Sequence, residues 1–203
     1  MGHELLFLNS AFEGPGPTFD AVIKDGRLRV IEEERLPSLD PVSVGGLIIT
    51  SHVDQRWLAE RKTWLEACLD GGARVVFNGH VESDFIDGLE RYQPLKDRSV
   101  AAFAVTREAD HPIWADYAGD ELTFRKGVAG FYGRGCNPAP AGATVINRLD
   151  AGKERLPVDW EWRRPRGGRV LSHAGNDLWV TFEQTELNAE LVGRIVDWME
   201  QRS

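Results

Sequence analysis

Three apolar runs in this chain stop at histidine: LIIT before Ser51-His52, VVFN before Gly79-His80, and GRVL before Ser172-His173. Imidazole titrates near neutral pH, so it can accept a proton, donate one, or bind a metal through a neutral nitrogen. Polar partners stand close by in sequence: Asp54 after His52, Glu82 after His80, and Asn176 and Asp177 after His173. A carboxylate near an imidazole can orient the ring, take the hydroxyls of a polar ligand, or share a first-row metal. No HExxH or similarly tight ligand motif is present, so neither a metal nor a cofactor is expected. A backbone-satisfied histidine would account for any one of the three. Three at matching positions point to one site, with His52, His80 and His173 as candidate catalytic groups and Asp54, Glu82, Asn176 and Asp177 as candidate ligand contacts.

That reading requires the three runs to be neighbouring strands, because open α/β sheets bind ligands at the carboxyl ends of their strands. Gly45 to Thr50 (GGLIIT) and Arg74 to Asn78 (RVVFN) are continuous apolar runs, as expected of parallel strands buried on both faces. Between them Trp57, Leu58, Trp64, Leu65, Cys68 and Leu69 recur at helical spacing, which predicts one helix over about Asp54 to Leu69. Ser51 and Asp54 have the spacing of an N-terminal capping pair, and Gly71-Gly72 supplies the stop. Strand, helix and strand within about 35 residues make a βαβ unit.

Elsewhere, Glu4 to Asn9 is a first buried strand, and Phe19 to Glu32 is either a hairpin or a short helix followed by a strand. Val100 to Val105 is a strand candidate, residues 116 to 142 a Gly- and Pro-rich structured loop or set of short strands, and Ala143 to Leu149 and Val158 to Trp162 antiparallel strands. Gly168 to Ser172 is a further strand. A last helix over about Glu183 to Gln201 puts Leu187, Leu191, Ile195 and Trp198 on one face.

At 203 residues, with 42% apolar and 28% charged residues, the chain suits a single domain, residues 1–203, with a full core. Its net charge of −8 opposes binding to nucleic acid or anionic lipid. Arg163, Arg164, Arg166 and Arg169, interrupted by Pro165 and Gly167-Gly168, read as a solvated turn. No run approaches the ~20 apolar residues of a membrane span. The amino terminus lacks the basic region and cleavage-type site of a secretory signal. Two distant cysteines then fit a cytoplasmic protein with reduced thiols. Cys68 falls on the apolar helix face. Cys136, in Gly-Arg-Gly-Cys-Asn-Pro, has a neighbouring cation but no strand-turn-helix setting for a nucleophile.

The order GGLIITSH, helix, GGARVVFNGH, READHPI, DEL, LPVDWEW and PRGGRVLSHAGNDLW resembles the ThuA-like (trehalose utilisation) family of the class I glutamine amidotransferase-like superfamily, over about residues 43 to 200. The resemblance implies a flavodoxin-like, doubly wound, mainly parallel sheet, with some antiparallel strands in the second half. It also implies that His80 stands where amidotransferases carry their elbow cysteine. His111, in the HPI segment, joins the ligand-contact candidates, followed by Asp120-Glu121. The late segment reads His-Ala-Gly-Asn-Asp rather than Gly-His-Asp. The partner implied is a small polar, sugar-related molecule, with a homodimer as the assembly; Phe131, Tyr132, Trp160, Trp162 and Trp179 are candidates for sugar stacking, core or dimer contacts. The alternative is a non-catalytic binding or subunit-interaction domain that keeps the fold without its chemistry. Imidazole cannot form the thioester of amidotransferases. Purified protein is therefore expected to release no ammonia from glutamine; release that disappears in His80→Ala would overturn this reading of the elbow.

Overall fold

Strands that are apolar at every position must be covered on both faces, and alternation then assigns each side chain to a layer. The computed structural model describes residues 3–10, 14–151, 154–182 and 184–201. Its elements, in chain order, are β1 (Glu4–Asn9), α1 (Asp20–Lys24), β2 (Arg29–Glu32), β3 (Val44–Ile49), α2 (Gln55–Glu60), α3 (Lys62–Asp70), β4 (Arg74–Asn78), β5 (Gln93–Pro94), β6 (Val105–Arg107), α4 (Gly119–Thr123), β7 (Gly135–Cys136), β8 (Thr144–Ala151), β9 (Glu154–Arg163), β10 (Arg169–His173) and α5 (Thr185–Glu200).

Eight strands form one sheet in the order β2-β1-β3-β4-β10-β9-β8-β6, while β5 and β7 make a separate ribbon. The pairs β1–β2, β1–β3, β3–β4 and β4–β10 are parallel. The pairs β10–β9, β9–β8 and β8–β6 are antiparallel. The fold is thus α/β, with a flavodoxin-like parallel half and an antiparallel second half, as the family resemblance implied.

Leu5, Phe7, Ile48, Val76 and Leu171 face one layer, where Phe19 and Val22 from the α1 region meet Leu191, Ile195, Val196 and Trp198 of α5. Leu6, Leu8, Leu47, Ile49, Val75, Phe77 and Val170 face the other, against Leu58 of α2 and Leu65, Cys68 and Leu69 of α3. Cys68 is therefore a core residue, and burial pushes its thiol up to about 12.

Of the two alternatives for Phe19 to Glu32 the structure has the short helix followed by a strand, parallel to β1, and Gly26 ends the helix by donating its amide to Ile23 O. Several other expectations are corrected. The expected single helix breaks at Arg61, whose backbone leaves the helical region (φ −110, ψ 16). Its guanidinium bonds back to Trp57 O at 2.8 Å and lies over the Trp57 ring, so the carbonyl at the break stays satisfied. Asp54 alone caps this helix, accepting from the amides of Arg56 and Trp57; Ser51 is occupied elsewhere. The expected strand from Val100 becomes a 3-10 turn over Val100–Phe103, because Ala102 is buried while Val100 is 63% exposed, and the strand starts only at Val105. The arginine-rich turn is not wholly solvated. Arg164 is buried and paired with Glu66 and Asp70 of α3, whereas Arg166 stays exposed.

Among the described residues no helix is long and apolar enough to cross a membrane. Since Asp54 supplies the amino-terminal cap of α2, Asp54→Ala is expected to lower unfolding stability by about 1 kcal/mol, read from urea denaturation. A change below about 0.3 kcal/mol would remove the cap from this account.

Candidate functional site

Strands β3, β4 and β10 lie side by side and end at the same edge, with Ile49 opposite Phe77 and Asn78 opposite His173. Their ends are tied together by polar side chains. Asn78 donates to Ile49 O (3.3 Å) and accepts from the Leu178 amide (3.1 Å). Buried Asp177 accepts from the Ser51 amide at 2.7 Å. The Gly79 amide donates to His173 O at 2.9 Å.

The turn after β4 reverses close against Ser51. Gly79 has φ +103, and a side-chain carbon there would come within 3.0 Å of Ser51 Cα, so only glycine fits. Asn137, fully buried, braces the turn: its Nδ2 donates to Gly79 O and Ser172 Oγ, and its Oδ1 accepts from the Val81 amide. From the other side Gln55 donates to His80 O (2.6 Å) and accepts from the amides of Glu82 and Ser83. With both sides of the turn held by buried or bridging amides, His80 projects from its apex at the sheet edge.

A cleft of about 530 Å³ opens there, lined by Ser51 and His52 after β3, Gly79, His80 and Glu82 after β4, the loop from Gly130 to Arg134, and Gly175-Asn176 after β10. One face of the His80 ring lies flat on Tyr92, with centroids 3.5 Å apart and planes 12° apart. Burial against this partner lowers the pKa of His80; Glu82 raises it and His173 lowers it further, the balance remaining downward. Imidazole here is therefore neutral at pH 7.

His173 is built differently. It is buried, and its Nδ1 lies 2.6 Å from Asp159 Oδ1 on the neighbouring strand β9. The other oxygen of Asp159 accepts from the Tyr132 hydroxyl (2.6 Å) and from Asn147 Nδ2 (2.7 Å); the Tyr132 oxygen in turn accepts from Trp114 Nε1 (2.8 Å). Burial raises the Tyr132 hydroxyl well above its ordinary value, so it stays a donor. The network fixes the ring with one nitrogen engaged by a carboxylate. The other nitrogen lies behind Gly175, where an added side-chain carbon would stand 2.6 Å from Nε2 and overlap Tyr132 O. A glycine in the cleft wall is what separates this ring from the cleft.

Of the residues chosen from sequence, His52, His80, Glu82 and Asn176 line the cleft. His173 shares the same strand edge but faces inward. Asp177 cross-links strand ends, and Asp54 caps α2 on the exposed side. His111 lies apart from the cleft: it is buried, with Nε2 3.1 Å from Glu161 Oε2 and Nδ1 accepting from the Ile113 amide. Burial opposes ionisation of Glu161, but bonds from His111 and Arg169 outweigh it and hold the carboxyl at about 2. Cys136 is buried in β7 and does not line the cleft. Tyr132, Trp160, Trp162 and Trp179 are core residues, whereas Phe131 forms part of the cleft wall. Among the described residues no group of three or more His, Cys, Asp or Glu side chains is arranged to hold a metal.

Sequence reasoning missed Gln55, Tyr92, Arg134, Asn137 and Asp159. Asp159 had a signal: it alternates with Val158, Trp160 and Trp162, at a position that a half-exposed strand would give to solvent. Gln55 opens α2 but acts through its side chain on the β4 turn, and the remaining three act through loops whose paths carry no periodicity.

No family model matches the chain, and no curated protein matches it in sequence. Among solved structures it is similar to the cytoplasmic protein STM1381 from Salmonella typhimurium LT2, with TM-score 0.62, 10% identity, and 98% of this chain and 100% of that one covered. The cytoplasmic protein STM3548 from Salmonella typhimurium matches with TM-score 0.55, 8% identity and coverage of 96% and 98%. A protein described as ThuA-like from Bacteroides uniformis ATCC 8492 also matches, with TM-score 0.49, 10% identity and coverage of 98% and 91%. Likeness at these identities is one of fold.

The lowered pKa of His80 has a definite sign. In the unfolded chain the ring titrates near 6.5; folded, it takes its proton only at lower pH. Between those values the unfolded chain binds more protons. The contribution of His80 to stability is thus complete above about pH 6.5 and erodes as pH falls through the folded value. A proton NMR titration, with the ring signal assigned by its loss in His80→Gln, is expected to show a midpoint below 6.5. A midpoint at or above 6.5 would contradict a ring that is exposed on one side and covered by Tyr92 on the other.

Proposed function

We propose that the cleft binds a small polyhydroxylated, sugar-related ligand in a ThuA-like protein of the cytoplasm, and that His80 is the side chain that contacts it and exchanges a proton with it. One observation carries this reading: a neutral imidazole held at the apex of a braced strand-end turn, opening onto a cleft with a carboxylate, an amide and an aromatic ring. A neutral imidazole can accept a proton from a ligand hydroxyl, and Glu82 can accept hydroxyl hydrogen bonds. Asn176 both donates and accepts, and Phe131 offers an apolar face. His52 also lines the cleft, its Nδ1 3.3 Å from Ser51 Oγ. His173, oriented by Asp159, supports the strand edge from behind and tunes His80 by like-charge repulsion. The resemblance of the sequence motifs to the ThuA-like family and the description of the two Salmonella relatives as cytoplasmic support the same reading.

A second reading is a binding or subunit-interaction domain without catalysis. It draws on the elbow itself, where a histidine occupies the position that an acyl-transfer nucleophile would need. Saturation-transfer NMR of the full chain against neutral and acidic mono- and disaccharides tests the first reading. At least one sugar is expected to bind, and His80→Ala is expected to weaken it about tenfold while shifting Tm by no more than about 3 °C. Binding unaffected by His80→Ala, or no binding across the panel, would favour the second reading.

A further inference from the structure

We infer that the ligand of this cleft is an anionic sugar, its hydroxyls taken by His80 and Glu82 and its negative group by Arg134; the inference rests on the sugar reading proposed above. Among the described residues lining the cleft, Arg134 is the one Lys or Arg and Glu82 the one Asp or Glu. They are not ion-paired with each other or with any other described residue. Arg134 spends its Nε on Gly130 O at 3.0 Å, which orients the guanidinium and leaves both terminal nitrogens available. A guanidinium fixed in this way presents a planar fork that matches carboxylate or phosphate oxygens two at a time.

The scaffold holds this cation in a set relation to His80. Arg134 immediately precedes β7 and Tyr92 immediately precedes β5, and these two short strands pair with each other. The Leu95 amide donates to Arg134 O (2.8 Å) and the Tyr92 amide to Val81 O (2.9 Å). One small ribbon therefore carries both the ring that backs His80 and the guanidinium. The Tyr92 hydroxyl feels Arg134 and Glu82 with opposite signs, in keeping with both charges flanking it.

Charge bookkeeping favours an anion over a neutral sugar. The chain carries −8 overall, a field that repels anions in general. Arg134 is exposed at the cleft wall and Glu82 shares the cleft, so an anionic sugar can meet the fork with its negative group while its hydroxyls reach the carboxylate, whereas a neutral sugar would leave the fork without a charged partner. An amino acid would also pair with both charges, but it would leave the neutral acceptor His80 and the Phe131 wall without partners.

Isothermal titration of the full chain with glucuronate, glucose 6-phosphate, glucose and L-glutamate separates the outcomes. At least one anionic sugar is expected to bind about tenfold more tightly than glucose, and Arg134→Gln should bring that ratio to within about twofold. Arg134→Lys, which keeps the charge without the fork, should retain part of the preference and guards against a folding defect in the first variant. A preference for glucuronate identifies a carboxylate, and one for glucose 6-phosphate a phosphate. Glucose binding as tightly as both anions overturns the inference and leaves the sugar cleft standing. L-glutamate binding more tightly than either anionic sugar also overturns it. No binding by any sugar removes the sugar cleft and the inference together.

Discussion

Strand β10 has to satisfy two ladders of opposite sense at once, parallel to β4 on one side and antiparallel to β9 on the other. That double pairing sets much of what lies at the sheet edge. The parallel ladder puts His173 opposite Asn78 and lets its carbonyl accept from Gly79, locking the turn that carries His80. The antiparallel ladder puts Asp159 opposite the same histidine, within hydrogen-bond reach of its Nδ1. A buried carboxylate needs several donors, and here they come from His173, Tyr132 and Asn147.

The consequence is a division of labour between histidines that look alike in sequence. His173 is enclosed in a polar network whose members are mutually satisfied, so it acts as a fixed part of the scaffold. His80, one strand away, is held only through its backbone and by stacking on Tyr92. Its ring therefore stays at the cleft wall, while that of His173 is buried. The neighbouring glycines have related duties: Gly79 lets the chain reverse against Ser51, and Gly175 keeps a side chain out of the space beside the His173 ring.

The second half of the chain contributes the remainder of the cleft through segments with little regular structure. Asn137, Arg134 and Tyr92 come from loops joined by the β5–β7 ribbon, which has only one pair of residues on each side. Trp160 steadies Asn137 by donating its indole N–H to the Asn137 carbonyl at 2.8 Å. A core tryptophan, a loop asparagine and an elbow glycine thus form one continuous chain of contacts beneath the cleft.

What the sequence determined by itself was local and periodic. Continuous apolar runs specified β1, β3, β4 and β10, helical spacing specified α5 and the faces of α2 and α3, and the histidines at the strand ends marked the edge where the cleft lies. Those features are legible because burial on two faces or on one stripe writes a repeating pattern into the chain. The tertiary structure decided the rest. It opened His52 and His80 to the cleft while turning His173 inward, placed His111 against Glu161 instead, and recruited Gln55, Arg134 and Asn137 to the site. Each of those outcomes depends on which side chain of a distant strand or loop comes within ~3 Å of another. Pairings across a span such as Asn137 to Gly79 or Gln55 to Glu82 leave no periodic trace in the residues that make them, because they arise only when the sheet order brings their loops together.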